Sequence, residues 1–527
     1  MDKRIKTEVT GCDDVFIFQK ESVIPSSLRN YVDLKDDAIR IRSDLTGQKE
    51  ISLFVNDKAV YIADSLDKLV RFVHKNIPQN LTTRIKSISH LLHDAVIPAP
   101  YTIYNEVFSL AIGNSISIDS NSRDIKVEDD YPYLRSCSRQ DSVNSTKTLL
   151  NQMSNSLDQG TQDSDPIFML SSGKDSVSLA ITCGEIGLKC KTITYKSKQN
   201  DNESEVAKIV ARKFGLDHEV VTLDDTNLIS QEEKIVDFFR QSIHPCLDFS
   251  QLGYLRLLMQ LGATGCTIID GTGNDSYFGG APCKTDYTKY RLTIGNHNLA
   301  DQIKKIIRHS NKISYLLRSD AEINFATRTF RYNDTEKWFS NAFNTSIYWR
   351  NKYSFRNRKD KQSLETYYID LEAKIRGRDY DRSCSFLKAR LASSFTKNQM
   401  FYPYCDSQLI DYCFNLPEKF RFNTKKYINK ILLRTLLNEK VQYDSLANKK
   451  FGFDFEGRNF IRLHESFVKR EILSCSLWDQ EKMKVFLRHS LSLLEKNYYE
   501  SHGILLLFLL SGWFNHNKFL NTRNISL

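Results

Sequence analysis

Ile167-Phe168-Met169-Leu170-Ser171-Ser172-Gly173-Lys174-Asp175-Ser176-Val177-Ser178-Leu179-Ala180 is the stretch whose reading decides the fold. Its four leading apolar residues read as a buried parallel strand. A small polar turn through Gly173 follows, and then Asp175 to Ala180 at helical spacing. A strand, a tight turn and a helix N-terminus bring free backbone N–H groups and the positive end of a helix dipole to one point, which suits an anion. Ser171, Ser172 and Ser176 add hydroxyl donors. Asp175 would repel a bare phosphate, but it fits if a divalent cation sits between the two. The G-x-x-x-x-G-K-[ST] spacing is absent, which excludes a Walker loop. The bland alternative is an ordinary Ser-rich strand–helix turn.

Downstream, strand and helix alternate. Lys191 to Tyr195 reads as a strand. A helix over Glu203 to Phe214 follows, with Val206, Ile209, Val210 and Phe214 on one face and Gly215 as its cap. Then come a strand at Glu219–Val221, a helix around Ile235–Phe239 and a strand at Thr267–Ile269. This order predicts a parallel sheet with helices on both faces and ligands beyond the carboxyl ends of the strands. The turn after Ile269, Asp270-Gly271-Thr272-Gly273-Asn274-Asp275-Ser276-Tyr277-Phe278-Gly279-Gly280, lies at such an end. Alone, G-x-G-x-D is a weak signal. Facing the first loop it gains force, since Asp175 and Asp275 together can hold Mg²⁺ against a pyrophosphate. From about Leu292 the chain reads as helical, with an apolar face of Leu409, Ile410, Cys413 and Phe414.

Upstream, the chain to about Leu134 is β-rich. Ile51–Val55 and Ala59–Ala63 flank Asn56-Asp57 as a hairpin, and Ile97–Tyr104 and Leu110–Ile118 suggest further strands. A polar stretch from Ser136 to Asp165 reads as a linker around a short helix, Thr146 to Leu157.

Length fits two or three domains. Hydrophobic residues make up 41% and charged residues 26%, ordinary for a globular protein. Eleven scattered cysteines, with no C-x-x-C and no His cluster, read as reduced thiols in a cytoplasm. Met1-Asp2-Lys3-Arg4 leads into no apolar run, so no signal peptide is expected, and Ile504–Leu510 is too short to span a bilayer. Residues 281–360 hold 16 Lys+Arg against 7 Asp+Glu, much of the chain's net +10, with aromatics interleaved. A solvated helical face is the favoured reading there; an acidic substrate or partner protein, or a nucleic-acid groove, are the others.

The first loop resembles the S-G-G-x-D-S pyrophosphate (PP) loop of the ATP pyrophosphatases, with Ser172 replacing the first Gly. The order of motifs is similar to that of the asparagine synthetase family over most of the chain. The second turn resembles G-x-G-x-D-E-x-F-G-G, Tyr402–Asp406 resembles P-F-L-D, Lys430–Arg434 resembles K-x-x-x-R, and Lys450–Phe453 resembles K-x-G-F. Gly503–Trp513 looks like the family's closing helix. The resemblance implies an α/β fold of the adenine-nucleotide α-hydrolase (PP-loop) type over 165–520 with a helical C-terminal part. It is preceded by a linker, 136–164, and a β-rich, Ntn-type glutaminase-like domain, 1–135. Glutaminase chemistry needs an N-terminal Cys as nucleophile. Here the first cysteine is Cys12, so that domain is expected to be degenerate.

What the resemblance implies for chemistry is an ATP-dependent, AMP-forming amide ligase. Asp175 and Asp275 would hold Mg²⁺. Ser171, Ser172, Gly173, Lys174 and Ser176 would cradle the pyrophosphate, and Leu170, Tyr195, Asp270, Gly271 and Gly273 would line the nucleotide site at the strand ends. Lys450 would stabilise developing charge, and Glu372 is a candidate base. Thr272 stands where relatives place a base or part of one, and Ser276 replaces the motif's Glu. Thr is a poor base. Both departures resemble the glutaminase-deficient branch, β-lactam synthetase and the lasso-peptide macrolactam synthetases. The carboxylate and amine stay open among a peptide, a sugar acid and a small metabolite. Remaining alternatives are an ammonia-fed asparagine synthetase, a non-catalytic ATP-binding pseudoenzyme and an RNA-modifying pyrophosphatase.

Overall fold

The computed structural model describes residues 15–18, 24–35, 38–56, 59–77, 81–119, 122, 124–162, 165–196, 201–223, 228–278, 338–339, 364–423, 425–442, 455–495 and 498–520. Most of the basic 281–360 segment, and Lys449 to Phe453, lie outside them.

The chain opens with two antiparallel sheets. β1 (Val15–Phe18), β4 (Ser52–Val55), β5 (Val60–Ala63) and β6 (Val107–Ser109) form one, in the order β1-β5-β4-β6. β2 (Val32–Lys35), β3 (Ala38–Arg42), β7 (Asn114–Asp119) and β8 (Ile125–Asp129) form the other, in chain order. Alternation in Ala38–Arg42 points Ile39 and Ile41 inward, against Leu53, Ile62, Ile116 and Ile118. The expected hairpin forms, with Val55 opposite Val60. Ile97–Tyr104 forms no strand: it makes only isolated bridges at Tyr101 and Tyr104. Pro98 and Pro100 remove two ladder donors there, and the Ala99–Pro100 bond is cis. Helix α1 (Leu66–Asn76) packs on the first sheet, and α2 (Ile85–Asp94) joins the same apolar core.

Helix α3 (Thr146–Thr161) starts at Ser145, whose hydroxyl accepts the Thr148 N–H. Leu149, Met153 and Leu157, spaced by four, are fully buried, so the helix expected inside a linker is a core element.

Beyond it run β9 (Ile167–Met169), α4 (Lys174–Glu185), β10 (Lys191–Tyr195), α5 (Asp201–Lys213), β11 (Asp217–Val221), α6 (Leu228–Gln241), α7 (Ser250–Leu261), β12 (Thr267–Ile269) and the single turn α8 (Asp275–Phe278). With β13 (Gln399–Phe401) the strands make an all-parallel sheet, ordered β11-β10-β9-β12-β13. The chain walks outward from β9 to β11, then returns to β12 on the other side of β9. The loops after β9 and β12 therefore diverge and leave a crevice at the strand ends. The buried stripe of α5 is Ala207, Val210 and Ala211, and Ile209 is 64% exposed, so the apolar face is turned by about one position from the expected one. Gly215, at φ +66°, closes the turn as expected.

The C-terminal part is helical: α9 (Leu364–Lys374), a π-helical stretch over Ile375–Ser385, α10 (Phe386–Phe395), α11 (Ser407–Phe414), α12 (Ile431–Val441), α13 (Gly457–Leu463), α14 (Glu465–Ser474), α15 (Gln480–Ser492) and α16 (Tyr498–His516). Ile504 to Leu510 is buried on every side, which explains its unbroken apolar run. Among the described residues no helix is long and apolar enough to cross a membrane.

Candidate active site

The first loop leaves β9 at Leu170, which is fixed by its N–H to Ile193 O (2.9 Å) and by Thr194 Oγ1 to its own carbonyl (2.8 Å). The turn closes on itself through its hydroxyls. Ser176 Oγ donates to the Ser171 and Gly173 carbonyls (3.0 Å each) and accepts the Ser171 N–H (3.2 Å), while Ser171 Oγ accepts the Gly173 N–H (3.1 Å). A single hydroxyl hydrogen serves both carbonyls as a bifurcated bond, so Ser176 is a clamp for the turn. Gly173 is the N-cap of α4 and carries no side-chain cap, so that helix end depends on other partners. Tyr404 OH and Ser178 Oγ both donate to the Asp175 carbonyl (3.2 and 2.8 Å), pinning the first helical turn from below.

The second loop leaves β12 at Asp270. Oδ1 of Asp270 accepts both the N–H (2.9 Å) and the hydroxyl (2.5 Å) of Thr272, and Oδ2 accepts Tyr254 OH (3.3 Å). Thr272 thus spends its proton on holding the turn. Gly271 passes the first loop closely: a Cβ there would lie 3.4 Å from Ser176 N. Gly273 has φ +114°, and a Cβ on it would sit 2.5 Å from Cys405 Sγ. Only glycine fits both demands.

The two loops meet at Lys430. Its ammonium donates to Asp175 Oδ1 (2.8 Å) and Asn274 Oδ1 (2.5 Å) and pairs with Asp275 Oδ1 (2.6 Å). Asn274 Nδ2 donates to Asp175 Oδ1 (3.0 Å), closing the ring. Lys430 is fully buried at the N-cap of α12, in a left-handed conformation with φ 54°. That conformation costs a non-glycine residue about 1–2 kcal/mol and marks a position over-determined by its surroundings. Burial alone would strip Lys430 of its proton, but Asp175 and then Asp275 overturn this and raise its pKa. Burial likewise pushes the Asp275 carboxyl up, yet Lys430 and then Arg376 outweigh it and hold the group far below the usual carboxylate range. The Asp275 side chain keeps 40% of its surface open, so it faces both the ammonium and solvent.

Arg376 approaches Asp275 Oδ2 at 3.8 Å from the π-helical stretch. Glu372 and Asp381 are the other carboxyls around its guanidinium. Asp381 is buried beside a small cavity lined also by Gly273, Tyr277 and Gly377, and burial pushes its pKa up to about 6. The stretch is braced by the N-terminal sheets. Arg378, wholly buried, pairs with Asp129 (2.5 Å) and Asp379 (2.8 Å), and Asp379 Oδ1 accepts the Ala99 N–H (3.0 Å). Arg382 donates to Ile97 O (2.9 Å). The irregular Ile97–Tyr101 segment therefore uses its backbone to hold the functional helix.

Of the residues expected at the site, Leu170 to Ser176, Asp270, Gly271, Thr272, Gly273 and Asp275 come together in the crevice. Tyr195 stands at the end of β10, beside a narrow cavity shared with Lys196, Thr222 and Arg256. Glu372 acts electrostatically on Arg376. Lys450 lies outside the described residues. The structure adds Asn274, Lys430, Arg376 and Asp381. Asn274 stood within the second motif, and Lys430 opened the K-x-x-x-R stretch. Arg376 and Asp381 had no signal beyond a charged helical run.

The family model described as asparagine synthase matches residues 151–514. No curated protein matches the chain. The match makes an ATP-dependent amide ligase the general activity class, a carbon–nitrogen ligase with carboxylate and amine substrates.

Proposed function

Because the chain belongs to the asparagine synthase family, we propose that it is an AMP- and pyrophosphate-forming ligase of the PP-loop type. It adenylates a substrate carboxylate and passes the acyl group to an amine not drawn from glutamine. The observation that carries this reading is the convergence of Asp175 and Asp275 on one buried ammonium beside the N-terminus of α4.

Lys430 holds both carboxylates ionised and aimed at one point, and the Asp275 side chain stays 40% open. Two carboxylates focused on one positive centre form a seat for a cation, and two carboxylates plus substrate phosphates suit Mg²⁺. Asp175 and Asp275 would hold it, and its chemistry is to neutralise the pyrophosphate as that group leaves. The chain's own part is positioning. The α4 N-terminus, with the amides of Ser172 and Lys174, binds the β- and γ-phosphates, while the Gly173 amide keeps the turn closed on Ser171 Oγ. Leu170, Tyr195, Asp270 and Gly271 line the nucleoside at the strand ends. Lys430 and Arg376 supply positive charge beside the leaving group, and Lys450 meets the charge that develops at the acyl centre. Glu372 is the carboxylate assigned to take the amine's proton, with Asp381 a second carboxyl near the same guanidinium.

Residues 165–520 form the ligase domain in this reading and 1–135 a glutaminase-like domain kept for structure, and the connection expected over 136–164 contains α3, which packs into the ligase core. The bracing of the π-helical stretch by Asp129, Ala99 and Ile97 supports that structural role. Thr272 and Ser276, in place of the family residues, support an amine carried by the substrate. The test is incubation with Mg·ATP and pooled carboxylates and amines, followed by nucleotide chromatography. AMP and pyrophosphate in equal amounts are expected. ADP and phosphate would refute the reaction class, and asparagine from aspartate and ammonium would refute the substrate assignment.

A further inference from the structure

The second N-terminal sheet ends on β8, and among the described residues nothing pairs with the outer edge of that strand. Its pairing with β7 fixes which backbone groups are spare. Asp119 N–H bonds to Asp124 O (3.1 Å) and Asp130 N–H to Gly113 O (2.8 Å). In an antiparallel pair the bonded positions recur at every second residue. The even-numbered residues of β8 therefore spend their N–H and C=O groups on β7, in the register Ser115↔Glu128 and Ser117↔Lys126. Ile125, Val127 and Asp129 turn theirs outward. The strand is exposed at every position except Glu128, which is half-buried. Ile125 and Val127 keep 37% and 38% of their surface open, although they stand opposite the fully buried Ile118 and Ile116. An exposed, β-branched edge with a row of spare donors and acceptors is a template for another strand. The opposite edge is less available, since on β2 Val32 is 2% exposed and only Leu34 stands open.

We propose that β8 pairs antiparallel with β8 of a second copy of this chain, about a two-fold axis through Val127, so that the two four-stranded sheets become one continuous sheet. Charge selects this occupant and its register. Only outward-facing groups can bond across the edge, so odd-numbered residues must meet odd-numbered ones. Val127 can then face Ile125, Val127 or Asp129 of the other copy. The first register sets Lys126 against Lys126, and the third sets Glu128 against Glu128. The middle one sets Lys126 against Glu128 twice and Val127 against Val127. Like charges directly opposite each other destabilise a strand pair, whereas opposite charges and β-branched pairs stabilise it. The middle register also offers up to about six backbone bonds between the copies, two at each facing pair of odd residues. Within one chain Glu128 already pairs with Lys126 and with Arg40 (2.9 Å each), so the second copy's lysine extends an existing charge network. A strand of this length falls far short of the ~20–30 residues a side of a standard interface, so the association is weak and concentration-dependent. β8 also carries Asp129, which holds Arg378 of the π-helical stretch, so pairing stiffens the strand that braces the candidate site. The proposal concerns the N-terminal sheet alone and does not depend on the ligase reading.

The test is sedimentation velocity on the full chain from ~3 to ~300 μM, a range that brackets the dissociation constants of a weak interface. The weight-average mass should climb from monomer toward dimer and no further, because the two-fold pairing leaves no open β8 edge. Lys126→Glu and Glu128→Lys should each stay monomeric across the range, since each sets two like-charged pairs face to face. An equimolar mixture of the two variants should dimerise again, because every facing pair between them is once more of opposite sign. A wild type that is monomeric at every concentration, assemblies larger than a dimer, variants that associate as the wild type does, or a mixture that stays monomeric would overturn the proposal.

Discussion

Replacing Lys430 by Met removes the one ammonium shared by Asp175 and Asp275 and keeps most of the apolar stem. Two carboxylates are then left facing each other across its former seat. Breaking a buried ion pair by deleting one partner costs about 3–5 kcal/mol. Asp275 is 40% exposed, and water screens part of the repulsion, so the low end, about 3 kcal/mol, applies. At ~2 cal/mol/K per residue, the matched stretch 151–514 unfolds with an entropy of ~0.8 kcal/mol/K, which converts the loss to ~4 °C in Tm. The loss depends on pH. In the wild type the depressed Asp275 carboxyl contributes stability that is fully present above its ordinary pKa near 4, and that fades only as pH falls through its lower folded value. Wild-type stability from this group is therefore flat from pH 5.5 to 8. In the variant the two carboxylates raise each other's pKa, so stability falls as pH rises through the raised value. Thermal melts of both proteins across that range should show a deficit that is larger at pH 8 than at pH 5.5. A deficit under 1 °C, or one independent of pH, would refute the cation-seat reasoning.

Lys450→Ala should lower turnover ~10²–10³-fold with little change in ATP affinity, as expected of a group that meets charge only as it develops, while Lys449→Ala should be nearly silent; steady-state rates and nucleotide titrations separate the two. Gly273→Ala should cost at least ~1–3 kcal/mol in denaturant melts, since it combines φ +114° with a 2.5 Å contact to Cys405 Sγ. Gly215→Ala, also left-handed but with nothing within 4 Å of its Cβ, should cost only ~1–2 kcal/mol. Incubation with glutamine should release no glutamate above background, and steady release lost on Cys12→Ala would contradict the structural role given to the N-terminal domain.

The parts of the site that were legible in the sequence are those that local physics writes locally. An apolar run, a small turn and a helical pattern place Leu170 to Ser176 at a strand end, and Gly271 and Gly273 declare a tight backbone approach. Lys430 was harder, because it is 255 residues from Asp175 and its role depends on a left-handed cap that no side-chain pattern announces. The run Arg376 to Arg382 lay outside every motif, and five charged residues in seven do not announce burial. It is instead π-helical and largely buried, because Asp129 and Asp379 offset the Arg378 charge from inside. Ile209 shows the reverse error, an apolar residue at helical spacing that faces solvent because Ala207 and Ala211 let the helix pack more closely on that side.

The central claim is that Asp175 and Asp275 form the cation seat of a Mg·ATP site. Calorimetric titration of ATP into the wild type and into Asp175→Asn, with and without Mg²⁺, tests it most directly. The wild type should bind ATP in a Mg²⁺-dependent manner. Asp175→Asn should lose at least tenfold in affinity, about 1.4 kcal/mol, and most of the dependence on Mg²⁺. Equal affinities in the two proteins, with the same response to Mg²⁺, would contradict the account.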